Sequence, residues 1–145
     1  MATINVYLNF AGNCEEAFEH YKSVFGGEFS DINRFGEMPP QEGMPPVPEE
    51  MTQKIMHISL PISTETILMG SDTGGAWAPP LTPGNNFSLM VNAGSTEEAD
   101  RLFAGLSAGG AVTMPLAPTF WGAYFGVCSD RFGINWMVSA ALGEG

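Results

Sequence analysis

Asn13-Cys14-Glu15-Glu16-Ala17 and Ser95-Thr96-Glu97-Glu98-Ala99 are two versions of one helix start, and their recurrence decides how the chain divides. In each, a small polar residue stands three positions before a glutamate, the spacing at which the two side chains can cap each other's backbone amides. An amphipathic stretch follows each start and ends in a glycine pair, Gly26-Gly27 in the first copy and Gly109-Gly110 in the second. An alternating apolar run precedes each: Ile4, Val6, Leu8 and Phe10, then Phe87, Leu89 and Val91. Period-two runs predict strands, so each copy opens strand then helix. A duplicated half-domain has a seam, where a ligand pocket is expected.

In the first copy Ala17, Phe18, Tyr21, Val24 and Phe25 recur at helical spacing, and Gly26 supplies the backbone freedom at which helices often stop. Residues 29–35 read weakly as a strand. Residues 37–53 hold Gly43, Pro45, Pro46 and Pro48, which rules out a central strand or a helix. That loop is open to three readings: a lid, a subunit contact or a disordered segment. Residues 54–62 and 65–72 predict a hairpin of two strands. Pro79, Pro80 and Pro83 mark residues 77–84 as the linker between copies. The second copy then predicts a strand over 86–92, a helix from Ser95 to Ala108, and strands near Val112, over 124–128 and over 134–139.

Both halves therefore read β-α-β-β-β, an α+β class, with module one at 1–76, the linker at 77–84 and module two at 85–142. At 145 residues with 44% apolar content, the chain is expected to form one domain, 1–145, with a substantial core. Sixteen acidic residues against five basic ones give a net charge of -11, which disfavours nucleic acid and anionic membrane surfaces as partners. No run of apolar residues is long enough for a membrane span, and the first residues lack the basic and apolar regions of a signal peptide. A cytoplasmic location is expected. Cys14 and Cys128, the two cysteines, form neither a zinc motif nor a Cys-x-x-Cys pair.

Several segments carry a family likeness: residues 7–13 (YLNFAGN) with Glu16-Ala17 and Tyr21 to Gly26, then Lys54-Ile55-Met56-His57 and Leu68-Met69-Gly70-Ser71-Asp72. Met114-Pro115, Phe120-Trp121-Gly122 and residues 130–136 (DRFGINW) add to it. In these the chain resembles the vicinal oxygen chelate superfamily of glyoxalase I, extradiol dioxygenases and bleomycin-resistance proteins, and within it the PhnB-like branch, often labelled 3-demethylubiquinone methyltransferase. The resemblance implies mixed sheets curled around a cup-shaped cavity with helices outside, a homodimer, and a small organic molecule as ligand. It also implies where relatives hold a divalent metal: inward positions on the first and last strands of each module. Here those positions fall on Asn5 or Val6, on Asn86, near Leu68 or Met69, and near Trp136 or Met137. Amides and thioethers are poor ligands for such ions, so no metal cofactor is expected, and the amides would instead hydrogen-bond a ligand.

His57 is the candidate for chemistry. On its strand Ile55, His57 and Ser59 alternate with the wholly apolar Met56, Ile58 and Leu60, so His57 is expected to face the cup, where an imidazole can exchange a proton or hold a ligand. A structural histidine remains the competing reading. Tyr7 and Asn9 fall on the polar face of the first strand and are expected to line the pocket with Asn5 and Asn86. Trp121 and Trp136 offer flat apolar walls, against the reading that they are core. Asp72, at a strand end, reads as a turn cap or as a partner that orients His57. Cys14, at a helix start, has a dipole that favours a thiolate but no base beside it. A methyltransferase of the Rossmann type needs a glycine-rich turn between a strand and a helix, and none of the glycine pairs stands there. Two function classes follow: a protein that binds or sequesters a small molecule, and an enzyme of lyase or isomerase type with His57 moving a proton.

Overall fold

The structure is a computed structural model of the chain, and it describes residues 2, 4–37, 39, 43, 46–73 and 81–142. The chain forms two compact units, Met1–Thr82 and Pro83–Gly145, each a four-stranded mixed sheet with one helix. The first contains β1 (Val6–Phe10), α1 (Cys14–Phe25), β2 (Asp31–Arg34), β3 (Ile55–Pro61) and β4 (Ile67–Asp72). The second contains β5 (Leu89–Asn92), α2 (Thr96–Ser107), β6 (Ala111–Pro118), β7 (Ala123–Ser129) and β8 (Asn135–Ala141). The β-α-β-β-β order of each half is as the sequence indicates.

The sheet orders are β1-β4-β3-β2 and β5-β8-β7-β6. In both units the first strand runs parallel to the last, and the remaining pairs are antiparallel. The apolar faces of the strands pack under the helices. In the first unit Leu8, Phe10, Ile58, Leu60 and Leu68 lie buried with Ala17, Phe18 and Tyr21 of α1. In the second, Val138, Trp136 and Cys128 lie buried with Ala99, Leu102, Phe103 and Leu106 of α2. Burying each large side chain of this kind contributes about 1.5–3 kcal/mol. Each helix rests an aromatic ring on a glycine of its sheet. A Cβ at Gly70 would come within 2.6 Å of the Phe18 ring, and one at Gly126 within 2.9 Å of the Phe103 ring.

Three details depart from the expectations. The first strand of each unit starts late: Ile4 is 98% exposed and Phe87 is 64% exposed, both outside the sheets. The cause is register, because Val6 pairs with Leu68 near the start of β4 and Leu89 pairs with Trp136 near the start of β8, so earlier residues have no partner strand. Second, Asn13 stands at the N-cap of α1 but makes no side-chain cap bond. The cap comes instead from Asp72, whose Oδ1 accepts the amides of Gly12 and Cys14 at 2.9 Å each. At α2 the local pattern does form: Ser95 Oγ accepts the Glu98 amide at 3.1 Å, and Glu98 Oε1 accepts the Gly94 amide at 2.9 Å.

The third departure concerns β3. Its pairing with β2 slips between Asn33 and Arg34, so that Asn33 faces His57 and Arg34 faces Ile55, leaving Met56 as the extra residue of a bulge. Ile55 is thereby turned under α1 and fully buried, away from the side that His57 occupies. Arg34 turns the same way and forks onto Glu15 of α1 at 3.0 and 2.8 Å, while also donating to the Gln53 carbonyl at 2.8 Å. Short 3-10 turns lie at Phe35–Glu37, where the 37–53 segment begins, and at Glu49–Met51 within it. Of the 77–84 linker, residues 77–80 lie outside the described residues, and 81–84 form no regular element.

Candidate functional site

The sheet of the first unit has one face under α1 and a distal face turned away from it. Register assigns the side chains. Tyr7 of β1 pairs with Met69 of β4, which pairs with Ser59 of β3, which pairs with Asp31 of β2, so these four lie side by side on the distal face. Asn9 and Ser71 form a second row there, with Ser71 Oγ donating to Asn9 Oδ1 at 3.4 Å. His57, two residues before Ser59, shares that face with Asn33 opposite it.

The imidazole of His57 bridges two hydroxyls. Its Nδ1 lies 3.1 Å from Tyr7 Oη and its Nε2 lies 2.9 Å from Ser59 Oγ. The Tyr7 and His57 rings stand 5.6 Å apart between centroids. Tyr7 is 45% exposed and Ser59 is 5% exposed, so the chain of hydrogen bonds runs from the surface inward. A hydroxyl, an imidazole and a second hydroxyl in series can bind a polar ligand group at the outer end, or accept a proton from it.

The other expected site residues are placed less uniformly. Asn5 is exposed just ahead of β1, and Asn86 is exposed ahead of β5. Trp121 is 59% exposed in the turn between β6 and β7, edge-on to Phe120 at 5.0 Å and to Phe125 at 6.0 Å. Trp136 is a correction. At 1% exposure it lies on the same face of its sheet as Val138, under α2, and its Nε1 donates to Asp130 Oδ2 at 2.8 Å. It is a core residue of its unit, buried beneath α2.

Asp72 likewise has no hand in orienting His57. It points to the α1 side, buried, where Oδ2 accepts the Ile55 amide at 2.9 Å while Oδ1 serves the helix start. The reading of Cys14 as a reactive thiol fails for a related reason. Burial pushes its proton affinity well up, and the nearby carboxylates of Asp72 and Glu15 add to the rise, overriding the helix dipole. Burial and then Asp130 push Cys128 up to about 11. Both thiols are buried and unpaired with each other.

The divalent metal of the superfamily can be tested against the residues present. In the first unit, Val6 and Leu68 are paired on the α1 side and Met69 is distal, leaving Asn5 and Met69 as outward donors. In the second, Trp136 is buried and Met137 shares the opposite face with Met90 and Val127, leaving Asn86 and Met137. An amide and a thioether in each unit do not fit an ion that prefers imidazole and carboxylate. Among the described residues, no three of His, Cys, Asp and Glu are grouped to hold one. Among them also, no helix is long and apolar enough to cross a membrane.

Sequence reasoning put Ser59 on the His57 face but gave it no role, and it missed Ser71. The contact of Ser59 with the imidazole needs the side-chain geometry, and Ser71 becomes legible only once β1 and β4 are known to pair with Asn9 opposite it.

Comparison with known proteins gives a consistent result. Residues 2–139 match the family model described as 3-demethylubiquinone-9 3-methyltransferase. Protein YjdN of Escherichia coli is 31% identical over 141 residues, covering 94% of this chain and 93% of that protein. The crystal structure of protein PA1353 from Pseudomonas aeruginosa superposes with a TM-score of 0.84 at 40% identity, covering 99% of this chain and 100% of that one. A Bacillus cereus structure described as a putative 3-demethylubiquinone-9 3-methyltransferase, PhnB protein, has a TM-score of 0.73 at 28% identity over 97% of this chain and 100% of that one. Solved structures described as glyoxalase-related, glyoxalase/bleomycin resistance and fosfomycin resistance proteins share the fold at lower identity.

Proposed function

The chain belongs to the PhnB-like 3-demethylubiquinone-9 3-methyltransferase family, whose fold is that of the glyoxalase and bleomycin-resistance proteins, and on that premise we propose that it binds a small organic molecule without a metal ion. The observation that carries the reading is the Tyr7–His57–Ser59 chain of hydrogen bonds on the distal face of the first sheet. Tyr7, Asn9 and His57 would hold the polar part of the ligand. Asn5, just ahead of β1, would contribute an amide hydrogen bond there; in the second unit, taken by itself, Asn86 would offer an amide and Trp121 an apolar surface.

Metal independence is supported by the donor chemistry at the positions where relatives place ligands. A methyltransferase of the Rossmann type is disfavoured by the sheets themselves: β2 follows α1 but lies at the far edge from β1, with antiparallel neighbours between, and no glycine-rich turn leads from a strand into either helix. Exposed Phe87, Phe120 and Trp121 in the second unit favour a homodimer that would cover some of this apolar surface.

A second reading has a specific observation behind it. The Tyr7–His57 contact is also what proton transfer to or from a bound molecule needs, so the same face would serve a lyase or isomerase with His57 as base.

Chelator-treated protein incubated with a metabolite extract, desalted and analysed by mass spectrometry separates these readings. Binding predicts one compound retained unchanged by the wild type and lost in His57→Gln. A chemically altered compound would replace the binding reading with the enzymatic one. Retention only after adding a divalent metal would overturn metal independence.

A further inference from the structure

We propose that Ser59 and Tyr7 hold His57 in a single tautomer, protonated on Nε2, and that the group offered to the ligand is the Tyr7 oxygen, acting as an acceptor for a weakly acidic O–H or N–H. This rests on the reading that the distal face of the first sheet binds a small organic molecule, and it names the chemical class of that molecule.

A neutral imidazole has one N–H, so with hydroxyls on both nitrogens one must donate to the ring and the other must accept from it. A phenol is a stronger acid than an aliphatic alcohol, and the stronger acid is the better donor. Tyr7 Oη–H therefore donates to Nδ1 at 3.1 Å, and Nε2–H donates to Ser59 Oγ at 2.9 Å. Ser59 is almost wholly buried, a setting in which an unsatisfied N–H is costly, so it is a positioning residue for the ring. With its proton committed to His57, the half-exposed Tyr7 oxygen has lone pairs directed outward and no donor left for a ligand. It selects donors over acceptors.

The arrangement also defines a balanced proton movement. A ligand X–H passes its proton to Tyr7 Oη as the original Tyr7 proton moves to His57 Nδ1, giving X⁻ and an imidazolium whose Nε2–H stays on Ser59. The reverse sequence restores X–H on release, and no oxidant or reductant is involved. The other groups facing the ring are few. Asn33 sits opposite His57 and Asp31 opposite Ser59 on β2, β4 supplies Met69 and Ser71, and the strands bring no lysine or arginine to this face. Asp31 is thus the one carboxylate in these rows.

The test is an NMR titration of the His57 imidazole in the full chain with no ligand present, with its two histidines distinguished through His57→Gln. Where the ring is neutral, a bare nitrogen and a protonated one differ widely in chemical shift, so the nitrogen shifts name the tautomer directly. They are expected to show Nδ1 bare and Nε2 protonated as the dominant form. Tyr7→Phe should move the Nδ1 shift toward that of a bare nitrogen with no donor, and Ser59→Ala should let the second tautomer grow to a comparable population, while Ser59→Thr, which keeps the hydroxyl, restores the wild-type pattern. A wild-type ring protonated on Nδ1, or an Nδ1 shift indifferent to Tyr7→Phe, would overturn the proposal. Tyr7→Phe removes only an exposed hydroxyl, so it decides the matter if Ser59→Ala does not fold. Because no ligand is used, a negative result removes the tautomer assignment and leaves the binding reading to its own experiment.

Discussion

Asp72 Oδ1 accepts the backbone amide of Cys14 at 2.9 Å, tying the start of α1 to the end of β4 across 58 positions of sequence. The same carboxylate takes the amides of Gly12 and Ile55, so one buried side chain fixes where β1 ends, α1 begins and β3 starts. Removing it strands three backbone donors beneath the helix. Asp72→Ala is expected to destabilise the chain by about 3 kcal/mol or more, read as a lower denaturant midpoint with an unchanged slope. A loss below about 1 kcal/mol would show that water or a neighbouring group replaces the carboxylate.

Gly70 is required by contact. Its missing Cβ would lie 2.6 Å from Phe18 Cε1 and 2.9 Å from the Leu8 carbonyl oxygen. The ring can shift but the backbone oxygen cannot do so cheaply. Gly70→Ala should lower stability by about 1–3 kcal/mol in thermal unfolding, and Phe18→Leu in the same chain should recover part of the loss. No recovery would place the strain on the β1 backbone alone.

These two residues also show how far the sequence could be read. The paired helix starts and period-two runs are local patterns, and they gave the element order and class. Asp72 as the cap of α1, the bulge at Met56 that buries Ile55, and the late start of β1 all depend on which strands pair and in what register. Local spacing carries none of that information. That Tyr7, Asn9 and His57 share the distal face was legible because alternation alone puts a polar residue opposite a packed face. Trp136 was misread because its strand alternates apolar residues on both faces, with Met137 on one side and Trp136 and Val138 on the other.

Trp136→Phe offers a check on that correction. The substitution removes the Nε1 bond to Asp130 and part of a buried ring, and should cost about 1–3 kcal/mol in unfolding experiments. Ligand affinity should stay within about twofold of wild type, a difference of under half a kcal/mol. A tenfold loss of affinity with stability intact would return Trp136 to the pocket.

Both cysteines should be inert in the folded chain. Burial raises the proton affinity of each thiol, to about 11 for Cys128 and further for Cys14 beside Asp72 and Glu15. In the unfolded chain a thiol ionises near its ordinary value, about 8.5. The folded state therefore retains protons that the unfolded state has lost, so this contribution is full below the unfolded value and is lost as pH climbs from there through the folded value. Titration with a thiol reagent should label neither residue at pH 8 and both in denaturant. Rapid labelling of Cys14 in the native chain would reinstate it as a reactive group.

The central claim is that the distal face around His57 binds a small organic molecule without a metal ion. Calorimetric titration of chelator-treated protein with the compound it retains from a metabolite extract tests this most directly. The account predicts saturable binding with the chelator present, weakened at least about tenfold, or about 1.4 kcal/mol, in both His57→Gln and Tyr7→Phe, with melting temperatures close to wild type. Binding that vanishes with the chelator and returns with a divalent metal, or that is indifferent to both substitutions, would contradict it.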